Sequence, residues 1–274
     1  MAERRGPMPG RYRISRGTAE LLRDADREHG WLLSVGGVPQ SYVDLADPGY
    51  LDFEYMRLMG DVVDRLGDRR AAIDAVHVGG AACTLPRYVA ATRPGSRQVV
   101  FEPDAGLVQV VREQLALEDV PRLTVQITDG RTGVAGLPAA TGDLVAVDAF
   151  CAGTMAMELV TREFTRDVAR VLRPGGVHLV NVSDEAALTL SRRVVATVRT
   201  TFPHVVLLGE PDVLLGQRLG NLVVAASPAP LPVAALARVV GDSAVQARCV
   251  HGDDLDGFCA GAAPLTDDVD ARVR

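Results

Sequence analysis

The chain has 274 residues, 47% of them hydrophobic and only 4% aromatic, with a formal net charge of -6. That length can bury a large core, and an acidic balance with few stacking rings argues against a nucleic-acid surface, which needs clustered positive charge. Every basic residue is Arg, and no run approaches the roughly 20 apolar residues of a membrane span.

The opening "MAERRGPMPGRYRISRG" is locally positive and lacks the apolar stretch of a secretory signal, so it reads as a solvated tail or edge strand of a cytoplasmic protein. From Arg11 to about Tyr55 the runs "TAELLRD", "WLLSV" and "PQSYVDL", split by "DADREHG" and Gly36-Gly37, predict a small antiparallel hairpin or meander. "YLDFEYMRLMGDVVDRL" spaces its apolar residues by three and four, the pattern of a connecting helix.

Between Asp74 and Ala226 the period changes. Seven apolar runs ("AVHV", "RQVVFE", "LTVQIT", "DLVAVDAF", "VHLVNV", "HVVLLG" and "NLVVAAS") read as strands. Helices are expected at Leu85 to Ala91, Ala105 to Leu117, Leu159 to Leu172 and Glu185 to Phe202. Strands without polar alternation, separated by helices, imply a parallel sheet covered on both faces: an α/β, doubly wound, Rossmann-like fold of about seven strands. Asp104 suits the N-cap of the helix at Ala105, and "RPGG" at Arg173 to Gly176 reads as a helix-ending turn. After Pro228 come one helix, "VAALARVV", and weakly patterned acidic sequence. The expected division is residues 1–57 as the β-rich segment, 58–228 as the nucleoside-binding domain and 229–274 as a partly disordered extension.

Ligands of an open parallel sheet bind beyond the carboxyl ends of its strands. Gly79 and Gly80 follow the first strand of the sheet, Glu102 the second, Asp129 the third and Asp148 the fourth. Glu102 stands a little over twenty residues after the glycines, the spacing at which a carboxylate accepts from ribose hydroxyls. Asp129 in "TDGR" either accepts from an adenine amino group or builds a turn. Asp148 ends the most apolar strand, where a carboxylate is costly without a partner or water. His77, two positions before Gly79, reads as a hydrogen-bonded core imidazole. Cys83, Cys151, Cys249 and Cys259 make no CxxC pair and the five histidines no HxxxH pattern, so neither a disulfide framework nor a metal site is expected.

"VGGAACTLPRYV", "VVFEPD", "ITDGR", "LVAVDAF" and "REFTRDVARVLRPGGV" follow one another in the order and spacing of spermidine synthases and related polyamine aminopropyltransferases, which have the class I methyltransferase fold. "GWLLSVGGVPQSYVDL" resembles that family's "L-x-L-D-G-x-x-Q" hairpin, so the resemblance covers about Arg11 to Ser227. It implies a homodimer whose donor is decarboxylated S-adenosylmethionine, with S-adenosylmethionine or methylthioadenosine as related ligands, and whose acceptor is a small amine. On it, Glu102 would hold the ribose, Asp129 and Gly130 the adenine, and Gly79 and Gly80 a backbone cradle. Gln40 would reach the thioether region, and Asp148 would orient or deprotonate the attacking amine.

Three segments depart from the family. Its loop reads "GGGDGG", and the Asp that pairs with the donor's ammonium is here Ala82. A second polyamine-binding Asp is Cys151, and "YHE" is replaced by "FEY" at Phe53 to Tyr55. The reading is therefore a spermidine-synthase-like transferase, with an S-adenosylmethionine-dependent methyltransferase or a catalytically degenerate nucleoside-binding scaffold as alternatives.

Overall fold

In the computed structural model, which describes residues 6–151, 153–242 and 246–269, the chain begins with a sheet of its own. Strands β1 (Gly10–Ile14), β2 (Gly17–Arg23), β3 (Gly30–Val35) and β4 (Val38–Asp44) form an antiparallel meander in chain order. Gly36 and Gly37 both take positive φ, +59° and +83°, which the tight turn between β3 and β4 requires and side chains resist. The expected connecting helix is α1 (Glu54–Val63), which buries Met56, Met59, Val62 and Val63.

Next come β5 (Asp74–Val78), α2 (Thr84–Thr92), β6 (Arg97–Phe101), α3 (Ala105–Gln114), β7 (Leu123–Gln126), α4 (Gly130–Ala135) and β8 (Gly142–Val147). A two-stranded ribbon, β9 (Phe150–Cys151) and β10 (Thr154–Met155), precedes α5 (Arg162–Val171), β11 (Leu172–Asp184), α6 (Thr189–Arg199) and β12 (His204–Gly209). The chain continues through α7 (Pro211–Leu214), β13 (Gly220–Ser227), α8 (Val233–Asp242), β14 (Arg248–Val250) and α9 (Gly252–Cys259). Residues 270–274, the end of the stretch expected to be disordered, lie outside the described residues.

The large sheet has eight strands in the order β14-β12-β13-β11-β8-β5-β6-β7. It is mixed rather than wholly parallel, because β13 runs antiparallel to both β11 and β12. The link from β12 to β13, residues 210–219, is shorter than the dozen or so residues a parallel crossover takes. The eighth strand, β14, pairs antiparallel with β12 and comes from the stretch that carries little pattern in the sequence. "RPGG" is not a turn: α5 ends at Val171, and Arg173 to Gly176 form an irregularity within β11 where its register on β8 shifts.

Apolar residues cover both faces of this sheet. Met59, Val62, Leu85, Val89 and Leu236 of α1, α2 and α8 pack on one. Phe164, Val168, Val194, Val198 and Leu255 of α5, α6 and α9 pack on the other. The N-terminal sheet lays Leu21, Trp31 and Leu33 against Leu107 and Val111 of α3. Asp104 fastens that union: it caps α3 through Leu107 N–H at 2.8 Å, as expected, and accepts from Ser15 and Arg16 N–H of the β1–β2 turn at 3.0 and 2.9 Å. The C-terminal end is clasped too. Arg131 pairs with Asp267, Leu265 N–H donates to Thr197 Oγ1 at 2.7 Å, and the Leu265 carbonyl accepts from Arg162 N–H at 2.9 Å. No helix among the described residues is long and apolar enough to cross a membrane.

Candidate functional site

The chain adds β6 and β7 on one side of β5 and then returns to place β8 on the other. This reversal opens a crevice at the carboxyl ends of β5 and β8, and a cavity of about 330 Å³ lies there. Gly79 has φ +92°, and a β-carbon on it would collide with the Asp148 carbonyl, so the loop after β5 can press against the end of β8 only because residue 79 is glycine.

Four of the residues expected at the site line this cavity: Gln40, Gly79, Gly80 and Asp148. Gln40 is brought there by β4, which is docked on the loop after β5. Ala82 N–H donates to Ser41 Oγ at 3.2 Å, and Thr84 Oγ1 donates to the Tyr42 carbonyl at 3.0 Å. Arg87 braces the loop from behind, giving Nε to the Ala82 carbonyl at 3.0 Å and a second nitrogen to the Leu115 carbonyl at 2.6 Å.

Glu102, Asp129 and Gly130 sit on the other side of that loop, at the ends of β6 and β7. Glu102 is 8% exposed. One of its oxygens accepts from Gly80 N–H at 3.0 Å and Ala81 N–H at 3.4 Å, and the other from Asp104 N–H at 3.0 Å. Asp129 is exposed and caps α4 through Thr132 N–H at 2.8 Å, a bond that holds its carboxyl below the usual carboxylate range. Gly130 is the buried first residue of that helix. In the fold Asp129 serves as the N-cap of α4 rather than as part of a turn.

Asp148 has its partners. Asn181 Nδ2 donates to one carboxylate oxygen at 2.8 Å and Tyr55 O–H to the other at 3.2 Å. Asn181 in turn accepts from Asn221 Nδ2 at 3.0 Å. Burial raises the Asp148 carboxyl above the usual carboxylate range, partly offset by the bonds from Asn181 and Tyr55. Burial and the neighbouring carboxylate lift the Tyr55 phenol well above its ordinary value, so it stays a donor.

Tyr55, Asn181 and Asn221 are not among the sequence candidates. The signal for Asn181 is present, a lone amide inside the apolar run "VHLVNV". Tyr55 ends the "FEY" that stands in place of the family's "YHE", which is its signal, and Asn221 belongs to the reversed strand β13, whose packing no local pattern encodes. Ala82 differs from expectation: it is 0% exposed, and the loop residue that lines the cavity beside Gly80 is Ala81. The side chain of Cys151 lies outside the described residues. No cluster of three metal-ligating side chains occurs among the described residues.

No protein-family model and no curated protein matches the chain. Solved structures do. A probable spermidine synthase from Corynebacterium glutamicum is similar to it with TM-score 0.89 and 29% identity, over 98% of this chain and 99% of the other. A spermidine synthase in complex with the transition state analogue AdoDATO has TM-score 0.61 and 14% identity, covering 95% and 81%. Human methyltransferase-like protein 13 in complex with SAH has TM-score 0.55 and 19% identity, covering 80% and 97%. The chain is thus spermidine-synthase-like in structure, with a class I methyltransferase fold.

Proposed function

We propose that the chain is an aminopropyltransferase-like enzyme that takes an adenosyl sulfonium donor and a small amine acceptor. The observation that carries this reading is Asp148, a carboxylate held by Asn181 and Tyr55 in a cavity at the switch point of the sheet. Its support is the likeness to the Corynebacterium glutamicum structure along nearly the whole of both chains. The donor supplies an electrophilic carbon next to a positively charged sulfur.

A protonated amine has no lone pair for that carbon. Asp148 accepts the amine's proton, the nitrogen forms a bond to carbon, and the carbon–sulfur pair leaves with sulfur as a neutral thioether. The two neutral donors on Asp148 fix its orientation. Glu102 would meet the ribose with oxygens already aligned by Gly80 and Asp104 N–H, and Asp129 and Gly130 would border the adenine. Homodimer formation and a cytoplasmic setting belong to the same proposal.

Calorimetry with methylthioadenosine, S-adenosylmethionine and decarboxylated S-adenosylmethionine tests the donor class. Chromatography of the decarboxylated donor incubated with a panel of mono- and diamines tests transfer through release of methylthioadenosine. Methyl transfer from S-adenosylmethionine would instead select the methyltransferase reading, and nucleoside binding without turnover the scaffold.

A further inference from the structure

His77 is 2% exposed, yet it lines the cavity together with Thr84, Leu85 and Pro86 of the first turn of α2. Its Nε2 lies 2.9 Å from Gln98 Oε1, and Gln98 Nε2 donates to the Pro86 carbonyl at 2.9 Å. That carbonyl accepts only from the amide nitrogen, so the amide oxygen faces the ring and the proton must sit on Nε2. Nδ1 is left as a lone-pair acceptor, and among the described residues it has no hydrogen-bond partner. Burial keeps the ring neutral by pushing its pKa down to about 4. Nδ1 is not one of the fully sealed, unpartnered polar atoms of the described residues, so it opens on the cavity that His77 lines, where water or a ligand's donor group can satisfy it.

We propose that His77 Nδ1 accepts a hydrogen bond from the protonated amine at the end of the donor's side chain, which makes His77 a binding residue for the non-nucleoside half of that ligand. The proposal rests on the adenosyl-donor reading above. His77 stands opposite Ala146 in the pairing of β5 with β8, two residues before Asp148 on the same strand face. The strand rise puts it about 7 Å below Asp148, so the two side chains serve opposite ends of a short carbon chain. A neutral imidazole accepts from an ammonium without repelling a carboxylate beside it. A site built this way takes decarboxylated and intact donors with similar affinity, and Ala82, buried away from the cavity, adds no charge to separate them.

The test is calorimetry on the native protein and on His77→Leu with methylthioadenosine, which has no amine, and with both amine-bearing donors. The expected result is about a tenfold loss for each amine-bearing donor, the scale of one hydrogen bond to a charged group, and no loss for methylthioadenosine. Equal losses for all three ligands, or none, would overturn the role of His77. Nitrogen-15 spectra of the native imidazole give a second readout that needs no variant to fold. The Nδ1 resonance is expected to shift with the amine-bearing donors and not with methylthioadenosine, and an unmoved resonance overturns the proposal. Native protein that binds methylthioadenosine but shows no effect at His77 sinks this inference alone. Native protein that binds none of the three ligands sinks the donor reading with it.

Discussion

At Asp148 a single atom separates the chemistry from the architecture. In Asp148→Asn the remaining carbonyl oxygen still accepts from Asn181, so the fold loses little, but the amide takes no proton from an amine. Transfer is expected to fall by at least about a hundredfold, the scale of general-base catalysis, with methylthioadenosine affinity unchanged. Turnover assays beside calorimetry check the pair of outcomes, and equal activity in both proteins would make Asp148 structural. Glu102 is different, because its oxygens hold backbone N–H groups of the loop and of Asp104. Glu102→Ala leaves those donors unpaired and is expected to cost both kinds of free energy. Nucleoside affinity should drop by roughly 1.5–3 kcal/mol and unfolding stability by roughly 1–3 kcal/mol, read by calorimetry and by urea titration. A loss of stability alone would remove Glu102 from the ribose.

Among the elements, the end of α1 depends on an arginine from another helix's terminus. Arg93, 0% exposed, gives one terminal nitrogen to the Val63 and Leu66 carbonyls, both at 2.7 Å, and the other to Asp68 and Ala71, both at 3.0 Å. These contacts pin the segment that follows α1, adding to the bonds that the Val63 and Asp68 carbonyls already accept from Leu66 and Ala71 N–H at 3.1 and 3.0 Å. Arg93→Met is expected to destabilise the protein by about 3 kcal/mol or more, and Arg93→Lys to rescue little, since a single ammonium cannot fork to four carbonyls. Melting temperatures of the two variants decide it. Strands β5 to β8, β11 and β12 and helices α2, α3, α5 and α6 were legible in the sequence because burial on both sides writes continuous apolar runs between amphipathic helices, whereas α4 and the β9–β10 ribbon are too short to show a period. Gly79, Gly80 and Asp148, which line the cavity, could be placed at strand ends by those same runs, as could Glu102 and Asp129, which lie outside its lining. The reversal of β13 was hidden, since a buried antiparallel strand and a buried parallel one share a composition, and only the short link after Gly209 distinguishes them. Asn221 could not be found without that reversal, and the partnership of Tyr55 with Asp148 spans two layers of the fold. Ala82 shows the opposite case, a position matched by motif whose side chain turns inward.

For the molecule as a whole, two neutral imidazoles shape the response to acid. His77 and His178 are buried, bonded to Gln98 Oε1 and the Val145 carbonyl, and burial pushes each pKa from 6.5 down to about 4. The unfolded chain takes up two protons between pH 6.5 and 4 that the folded chain refuses, so stability falls as pH is lowered through that window. Each ring contributes a slope of up to about 1.4 kcal/mol per pH unit. Asp148, whose carboxyl is raised, opposes this near the bottom of the window. Asp74, held down to about 2 by Arg97 and Arg173, keeps its contribution until the pH falls below 3.8. Urea midpoints at pH 7, 5.5 and 4.5 are expected to decline in that order, with a shallower decline in His178→Phe, and a midpoint indifferent to pH would refute the assignment. The clasp made by Leu265 and Asp267 has a different consequence, one that concerns assembly. Leu255 and Leu265 fill the core beside α5 and α6, and β14 closes the sheet's outer edge, yet all three follow every other strand of that sheet in chain order. A folding chain therefore carries an open apolar seam along α5 and α6 until residues 248–265 dock, and a chain nicked ahead of Arg248 would present that seam to chaperones and proteases.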